Sequence, residues 1–98
     1  MKSTELAKQF AKEQGALFIE SRPDWNGKVM WALIYFDPTA PDAEVPCIGY
    51  PQFVMIEDEK CTLLDPDEAT AFMRYVDEHY GYTDEGEING FEIELIRL

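Results

Sequence analysis

The stretch that decides the fold is Val29-Met30-Trp31-Ala32-Leu33-Ile34-Tyr35-Phe36, the most apolar run in the chain. Successive side chains of a strand point to opposite faces, so residues 29, 31, 33 and 35 face one way and residues 30, 32, 34 and 36 the other. Neither face is polar. We therefore predict a central strand with one face under a helix, and the other against a second helix, the long loop or another copy of the chain.

Before this run the pattern predicts a short helix, a strand and a tight turn. The helix has Ser3 or Thr4 as its cap, one apolar stripe, and Gly15 as its stop. Residues 16–20 form a compact apolar run that is long enough for a strand and too short for a second helix. Asn26-Gly27 tolerates positive φ angles and favours a reversal into the central strand.

After the run, the pattern predicts two more strands, a helix and a final strand. Residues 52–56 and 61–64 are joined by a polar turn at Asp58-Glu59. Asp65-Pro66-Asp67-Glu68 is the strongest local signal, since Asp65 can cap a helix that Pro66 begins and Glu68 can reach back to the cap. Gly81 ends that helix. Residues 91–97 alternate, with Phe91, Ile93 and Leu95 opposite Glu92 and Glu94, as an edge strand does.

The predicted fold class is α+β, with the order α-β-β-β-β-α-β in a single domain of residues 1–98. Tight links between consecutive strands favour antiparallel pairing. We expect a two-layer domain, in which two helices lie on a mostly antiparallel sheet of four to five strands.

Charge is distributed unevenly along the chain. Eight Lys and Arg residues against twenty Asp and Glu residues give 98 residues a formal charge of −12. Residues 1–36 hold five basic and four acidic side chains, a net +1, whereas residues 37–98 hold three basic and sixteen acidic ones, a net −13. This balance argues against direct nucleic-acid binding and against an anionic membrane as a partner. It fits a solvated face or an acidic docking surface for a basic protein.

Residues that could carry chemistry are few. His79, the single histidine, falls near the end of the second predicted helix, where a surface position is expected. Cys47 and Cys61 match no zinc spacing and are expected as free thiols, and no third group is in place to orient a Cys47–His79 nucleophile pair. The acidic segment 84–92 departs from the EF-hand loop at Ile88, where that loop requires an oxygen ligand. We expect no enzymatic activity, no cofactor and no metal site.

Neither an apolar leader segment nor a membrane-spanning run occurs in the sequence, so the expected location is cytoplasmic.

Candidate partner contacts come from loops and turns. Residues 37–46 hold three prolines and three carboxylates, which exclude a helix or a sheet interior and occur both in functional loops and in solvated connectors. Trp25 beside Asn-Gly and Tyr50 within Gly-Tyr-Pro are aromatic residues in turn-like surroundings. The Tyr50–Pro51 bond is a candidate for the cis form. The predicted contact residues are Trp25, Asp42, Glu44, Tyr50, Asp84, Glu85 and Glu87.

From about residue 16 to residue 80 the chain resembles the small immunity proteins of bacterial polymorphic toxin systems. The likeness lies in an N-terminal helix, the Trp-containing strand 29–36, the Gly49-Tyr50-Pro51 entry into strand 53–56, a hairpin, and a helix of the Glu68-Ala69-x-x-Phe72 kind. A Gly-Thr expected after the hairpin strand is replaced by Leu64-Asp65-Pro66. The resemblance implies a non-enzymatic inhibitor that binds a toxin domain, and an acidic surface would suit a basic nuclease.

Several functional hypotheses follow. The leading one is a small acidic interaction protein, an immunity-type or inhibitory binder that holds a basic protein with its acidic surface. The second is a nucleic-acid mimic, whose carboxylates copy phosphate charge in the groove of a DNA- or RNA-binding protein. The third is a small-ligand or enzyme domain, for which His79, Cys47 and the proline-rich loop 37–46 are the available groups. The fourth is a homodimer through the sheet face of residues 29–36.

Overall fold

A computed structural model describes residues 3–37, 52–84 and 87–98 of the chain. These residues form two helices and five strands in the predicted order, which confirms the α+β class. The elements are α1 (Ser3–Gln14), β1 (Phe18–Trp25), β2 (Lys28–Ile34), β3 (Gln52–Glu57), β4 (Lys60–Leu63), α2 (Pro66–His79) and β5 (Leu95–Arg97).

The strands form one sheet in the order β4-β3-β2-β1-β5, and every neighbouring pair is antiparallel. The central position therefore belongs to β2, as its apolar sequence predicts. In the register of its two neighbours, Trp31 lies opposite Ser21 on β1 and Val54 on β3. The last strand, β5, pairs with β1 at the edge of the sheet, which confirms the predicted edge position.

One detail of the arrangement differs from expectation: the two helices lie on opposite faces of the sheet, so the domain has three layers and not two. One buried cluster joins Ala7 and Ala11 of α1 to alternate sheet residues such as Trp31 and Val54. The other joins α2 to the intervening residues, among them Met30, Ala32 and Phe53. Since both faces of β2 are apolar, each needs its own cover, and the chain supplies a helix for each.

This arrangement bears directly on the homodimer hypothesis. Met30 and Ala32 are 1% and 3% exposed beneath α2, and Trp31 and Leu33 are 5% and 4% exposed in the cluster beneath α1. A helix therefore covers each face of the strand at these residues, and a homodimer through the sheet face of residues 29–36 stays a prediction.

The helix termini follow the predicted signals. Asp65 accepts a hydrogen bond from the Glu68 amide at 2.8 Å, and the Glu68 side chain accepts one from the Asp65 amide at 3.4 Å, which completes the predicted capping box. Gly81, at φ +84°, donates to the Val76 carbonyl and ends α2.

The two hairpin turns are both tight two-residue turns with positive φ angles. Asn26 and Gly27 adopt φ values of 53° and 75° between β1 and β2, as predicted. Asp58 and Glu59 adopt 49° and 63° between β3 and β4, although neither is a glycine.

Three of the predicted strands end or begin at other residues than expected. The central strand, predicted over residues 29–36, ends at Ile34. The first strand runs on through Pro23 to Trp25, past its predicted end at residue 20, because the hairpin holds it against β2 and a register shift between Arg22 and Trp25 accommodates the proline. The last strand is limited to residues 95–97. Ahead of it the ladder is irregular, since the Glu94 amide donates to the Ser21 hydroxyl and not to a backbone carbonyl.

The side chains from residue 91 to residue 98 keep the predicted alternation. Phe91 and Ile93 pack with the α2-side cluster, whereas the even-numbered Ile96 and Leu98 pack with the α1-side cluster. Leu95 alternates in step with Phe91 and Ile93 but is 40% exposed. In the described part of the chain, neither helix has the length and apolar character needed to cross a bilayer.

Candidate protein-interaction surface

Charge is segregated between the two helical layers. We define the α1 layer as residues 3–15 and the α2 layer as residues 65–84 and 87–91. Glu92 and Glu94 are left out, because Phe91 and Ile93 face the α2-side cluster and the residues that alternate with them face the other way. The α1 layer has two lysines and two glutamates, a net charge of zero. The α2 layer has seven carboxylates against the single arginine Arg74, a net charge of −6 with His79 neutral. All seven carboxylates are exposed: Asp65, Asp67, Glu68, Asp77, Glu78, Asp84 and Glu87.

This segregation follows from the packing of α2. Its buried side chains, Ala69, Phe72 and Val76, recur at spacings of three and four and therefore share the face turned toward the sheet. At 100° per residue, Asp67 and Glu78 lie on the opposite side of the helix and Glu68 and Asp77 lie on its flanks, and all four are exposed. The acidic bias of the sequence thus becomes an acidic face of the folded protein.

Two of the predicted contact residues lie in a turn that follows α2. An isolated bridge pairs Tyr82 with Ile88, and the Thr83 amide donates to the Glu87 carbonyl at 2.8 Å. Ile88 is buried and fixes this turn against the α2-side cluster. Asp84 and Glu87 are therefore exposed on an anchored turn, and they lie in the same layer as the carboxylates of α2.

Trp25, the predicted aromatic contact, has a clear packing role. Its ring lies 5.5 Å from the ring of Phe72, and it is half-buried against the α2-side cluster. A role for Trp25 in partner contact stays a prediction. The remaining predicted contacts, Asp42, Glu44, Tyr50 and Glu85, lie outside the described residues, as do Cys47, the Tyr50–Pro51 bond and all of the proline-rich loop except Asp37.

The two side chains best suited to catalysis in the described residues, His79 and Cys61, lie on opposite faces of the sheet. His79 is exposed in the last turn of α2, where its Nδ1 lies 3.0 Å from the Tyr75 carbonyl and its ring stacks on Tyr75. Cys61 is a free thiol that packs against the cluster on the opposite face of the sheet. Burial, and secondarily the charge of Glu13, raise the pKa of the Cys61 thiol, which lowers its thiolate fraction at neutral pH.

Across residues 3–37, 52–84 and 87–98, no three His, Cys, Asp or Glu side chains lie close enough together to hold a metal ion. The exposed carboxylates of the α2 layer are thus spread along the surface.

A feature that the sequence did not indicate is a groove beside α2. One cavity of about 420 Å³ is lined by Thr70, Met73, Arg74, Asp77 and Tyr82 on the flank of the helix. A second, of about 330 Å³, reaches the sheet between α2 and the central strands. Met73 and Tyr82 line both cavities, which are therefore adjacent. We call the two adjacent cavities the Met73–Tyr82 groove; the second cavity is lined by Arg22, Ala32, Leu33, Ile34, Gln52, Phe53, Met73 and Tyr82.

The groove walls are mainly apolar, and Arg22, Arg74 and Asp77 add charged groups to them. Arg22 is already engaged there, because its Nη1 donates to Glu20 at 3.1 Å and to the Ser21 carbonyl at 2.9 Å. Burial raises the pKa of the Tyr82 hydroxyl, with Arg22 opposing and Asp77 adding to that rise. Tyr82 therefore keeps its proton at neutral pH and presents an uncharged aromatic ring between two charged groups.

No protein-family model matches the chain, and comparisons with curated proteins and with solved structures gave no match.

Proposed function

We propose that this protein is a non-enzymatic binder that holds, and by holding inhibits, a basic protein through its α2 layer. The observation that carries this proposal is the contrast between a net charge of −6 on the α2 layer and zero on the α1 layer. The resemblance to immunity proteins supports the same reading.

A charged face of this kind acts mainly on the association step. Like charges spread over one surface sum to a field that attracts an oppositely charged partner before contact, and orients it. At physiological salt the screening length is about 8 Å, so such attraction weakens steeply as ionic strength rises. A partner captured by this mechanism should therefore be cationic, and its association rate should depend strongly on salt.

The proposal is tested by two variants that remove the same number of charges from different faces. Asp84→Asn combined with Glu87→Gln takes two charges from the α2 layer, and Glu5→Gln combined with Glu13→Gln takes two from the α1 layer. Each protein, with the wild type, is immobilised and exposed to an extract of its source cell, and captured proteins are eluted by rising salt. The wild type and the α1-layer variant should retain the same basic protein, and the α2-layer variant should release it at lower salt.

Equal retention by the two variants would contradict the proposal, because net charge alone would then explain the binding. A captured partner that is acidic, or one indifferent to salt, would also contradict it. If the partner binds nucleic acid, competition with DNA or RNA decides whether the carboxylates act as a phosphate mimic.

A further inference from the structure

The Met73–Tyr82 groove is the place on the α2 layer where a partner could bury an apolar side chain. We propose that it receives an apolar residue flanked by Lys or Arg in a segment of the basic partner. This inference rests on the proposed function and assigns it an anchoring site.

The groove walls offer apolar surface that a partner side chain can cover. Ile34, Phe53 and Met73 supply hydrocarbon and thioether surface beside the Tyr82 ring. Interfaces draw most of their binding energy from a few apolar or aromatic anchors that fill such pockets, and methionine adapts its shape to the group it receives. A single apolar side chain is the occupant that matches walls of this kind.

The backbone of Tyr82 is held in place by its neighbours. It is 43% exposed, yet its backbone is held by the bridge to Ile88 and by the bond from the Asn89 amide to the Gly81 carbonyl at 3.0 Å. An exposed aromatic residue on a fixed backbone loses little conformational entropy when it is covered. Tyr82 is thus preorganised to contact a bound side chain.

The charge around the groove selects the residues that flank the anchor. Asp77 lines the groove, and the α2 layer that carries it has a net charge of −6. Two cations also line the groove: Arg74, which is already included in that net charge, and Arg22, which is paired with Glu20 at 3.1 Å. The surrounding field therefore favours Lys or Arg beside the anchor and disfavours Asp or Glu.

The experiment uses three synthetic heptapeptides as probes. The first has four Lys residues, glycine spacers and a central Leu; the second replaces that Leu with Gly; the third replaces every Lys of the first with Glu. Dissociation constants at 50 mM and 200 mM salt are measured by calorimetry, and contact sites are mapped by amide chemical shifts. The Leu–Lys peptide should bind about tenfold more tightly than the Gly–Lys peptide, and its shifts should centre on Met73, Asp77 and Tyr82.

A matched pair of tyrosine variants tests the site. Tyr82→Ser should remove the preference for the Leu-containing peptide while leaving the weak, salt-dependent binding of both cationic peptides. Tyr80→Ser should keep the preference, because Tyr80 is similarly exposed at 37% but packs on Phe91 away from the groove. Met73→Ser provides a second groove variant, and thermal melting confirms that each variant is folded.

The outcomes separate this inference from the proposed function. Equal, salt-dependent binding of the two Lys peptides, or a Leu preference that survives Tyr82→Ser, overturns the groove assignment and leaves the acidic binder standing. Absence of binding by both Lys peptides overturns both. Tighter binding of the Glu peptide, lost in Arg22→Met, would show instead that the groove takes an anionic ligand and would overturn both as well.

Discussion

The two faces of the sheet are covered by helices that pack in different ways. On one face, Ala7 and Ala11 are fully buried, and the Cα atoms of α1 come within 8 Å of strands β1 to β4. On the other face α2 stands farther from the sheet, because Phe72 and Val76 fill the space between. Small contact residues let a helix settle on a sheet, whereas bulky ones hold it off.

The difference in packing has a functional consequence. A helix held off the sheet leaves a gap along its flank, and the Met73–Tyr82 groove occupies such a gap beside α2. The same layer carries the net charge of −6, while the close-packed layer is neutral. The structure therefore brings the charged surface and the groove together on one face.

We expect the largest loss of stability on the α2 face when its central aromatic ring is removed. Phe72 is 1% exposed, and its ring lies 5.0 Å from Phe53 and 5.5 Å from Trp25. Phe72→Ala should lower the free energy of unfolding by about 3–5 kcal/mol, since the substitution leaves an empty space inside a packed cluster. Phe10→Ala, on the half-buried edge of the α1 side, should cost less. Urea denaturation measures both, and an equal loss would mean that the two faces contribute alike.

The close approach of α1 can be tested by enlarging one of its small residues. Ala11 is fully buried, so Ala11→Leu should lower the free energy of unfolding by about 1–3 kcal/mol through overpacking. The control is Ala71→Leu on α2, an exposed site where the change should stay within about 0.5 kcal/mol. A tolerated leucine at position 11, seen by thermal or urea unfolding, would show that α1 has room to move away from the sheet.

The second helix is also distinguished by its capping box. Asp65→Ala removes the acceptor for the Glu68 amide and should cost about 1 kcal/mol of stability. Asp67→Asn lies in the same first turn but removes a charge and leaves the cap bond, so its cost should be smaller. If the two changes prove equal in chemical denaturation, the helix dipole and not the cap bond stabilises this terminus.

The smallest expected effect concerns Cys61 on the α1 side, studied in a Cys47→Ser background so that one thiol remains. Since burial and Glu13 raise the pKa of this thiol, its alkylation by iodoacetamide should be slow at pH 8 and should quicken as the pH rises through that pKa. Glu13→Gln should lower the pKa and modestly increase the rate, whereas Glu5→Gln should not. Alkylation as fast as in the urea-unfolded protein would contradict a protected thiol.

The sequence predicted the elements whose signals are local. Asp65 and Glu68 specified the start of α2, Gly81 its end, and Asn26-Gly27 the first hairpin, because each of these depends on backbone angles and hydrogen bonds between near neighbours. The strand boundaries were harder to predict, since pairing with β2 carried β1 through Pro23, and the irregular ladder at Ser21 shortened β5.

The candidate surface was predicted in part. Counting charges located the acidic segment and indicated Asp84 and Glu87, which are exposed on the α2 layer. The groove had no sequence signal, because Met73, Tyr82 and Phe53 come from three elements that meet through tertiary packing. Trp25 was singled out for its turn-like surroundings, and its packing on Phe72 could not be seen from those neighbours.

By itself the sequence determined the number, type and order of the elements, the need to cover both faces of the central strand, and the sign of the surface charge. These follow from residue type and spacing, which act locally. The tertiary structure decided which helix covers which face, how near each lies, and that the acidic residues share a layer with an apolar groove. Those properties depend on side-chain volumes meeting across the sheet, and residues distant in sequence set them together.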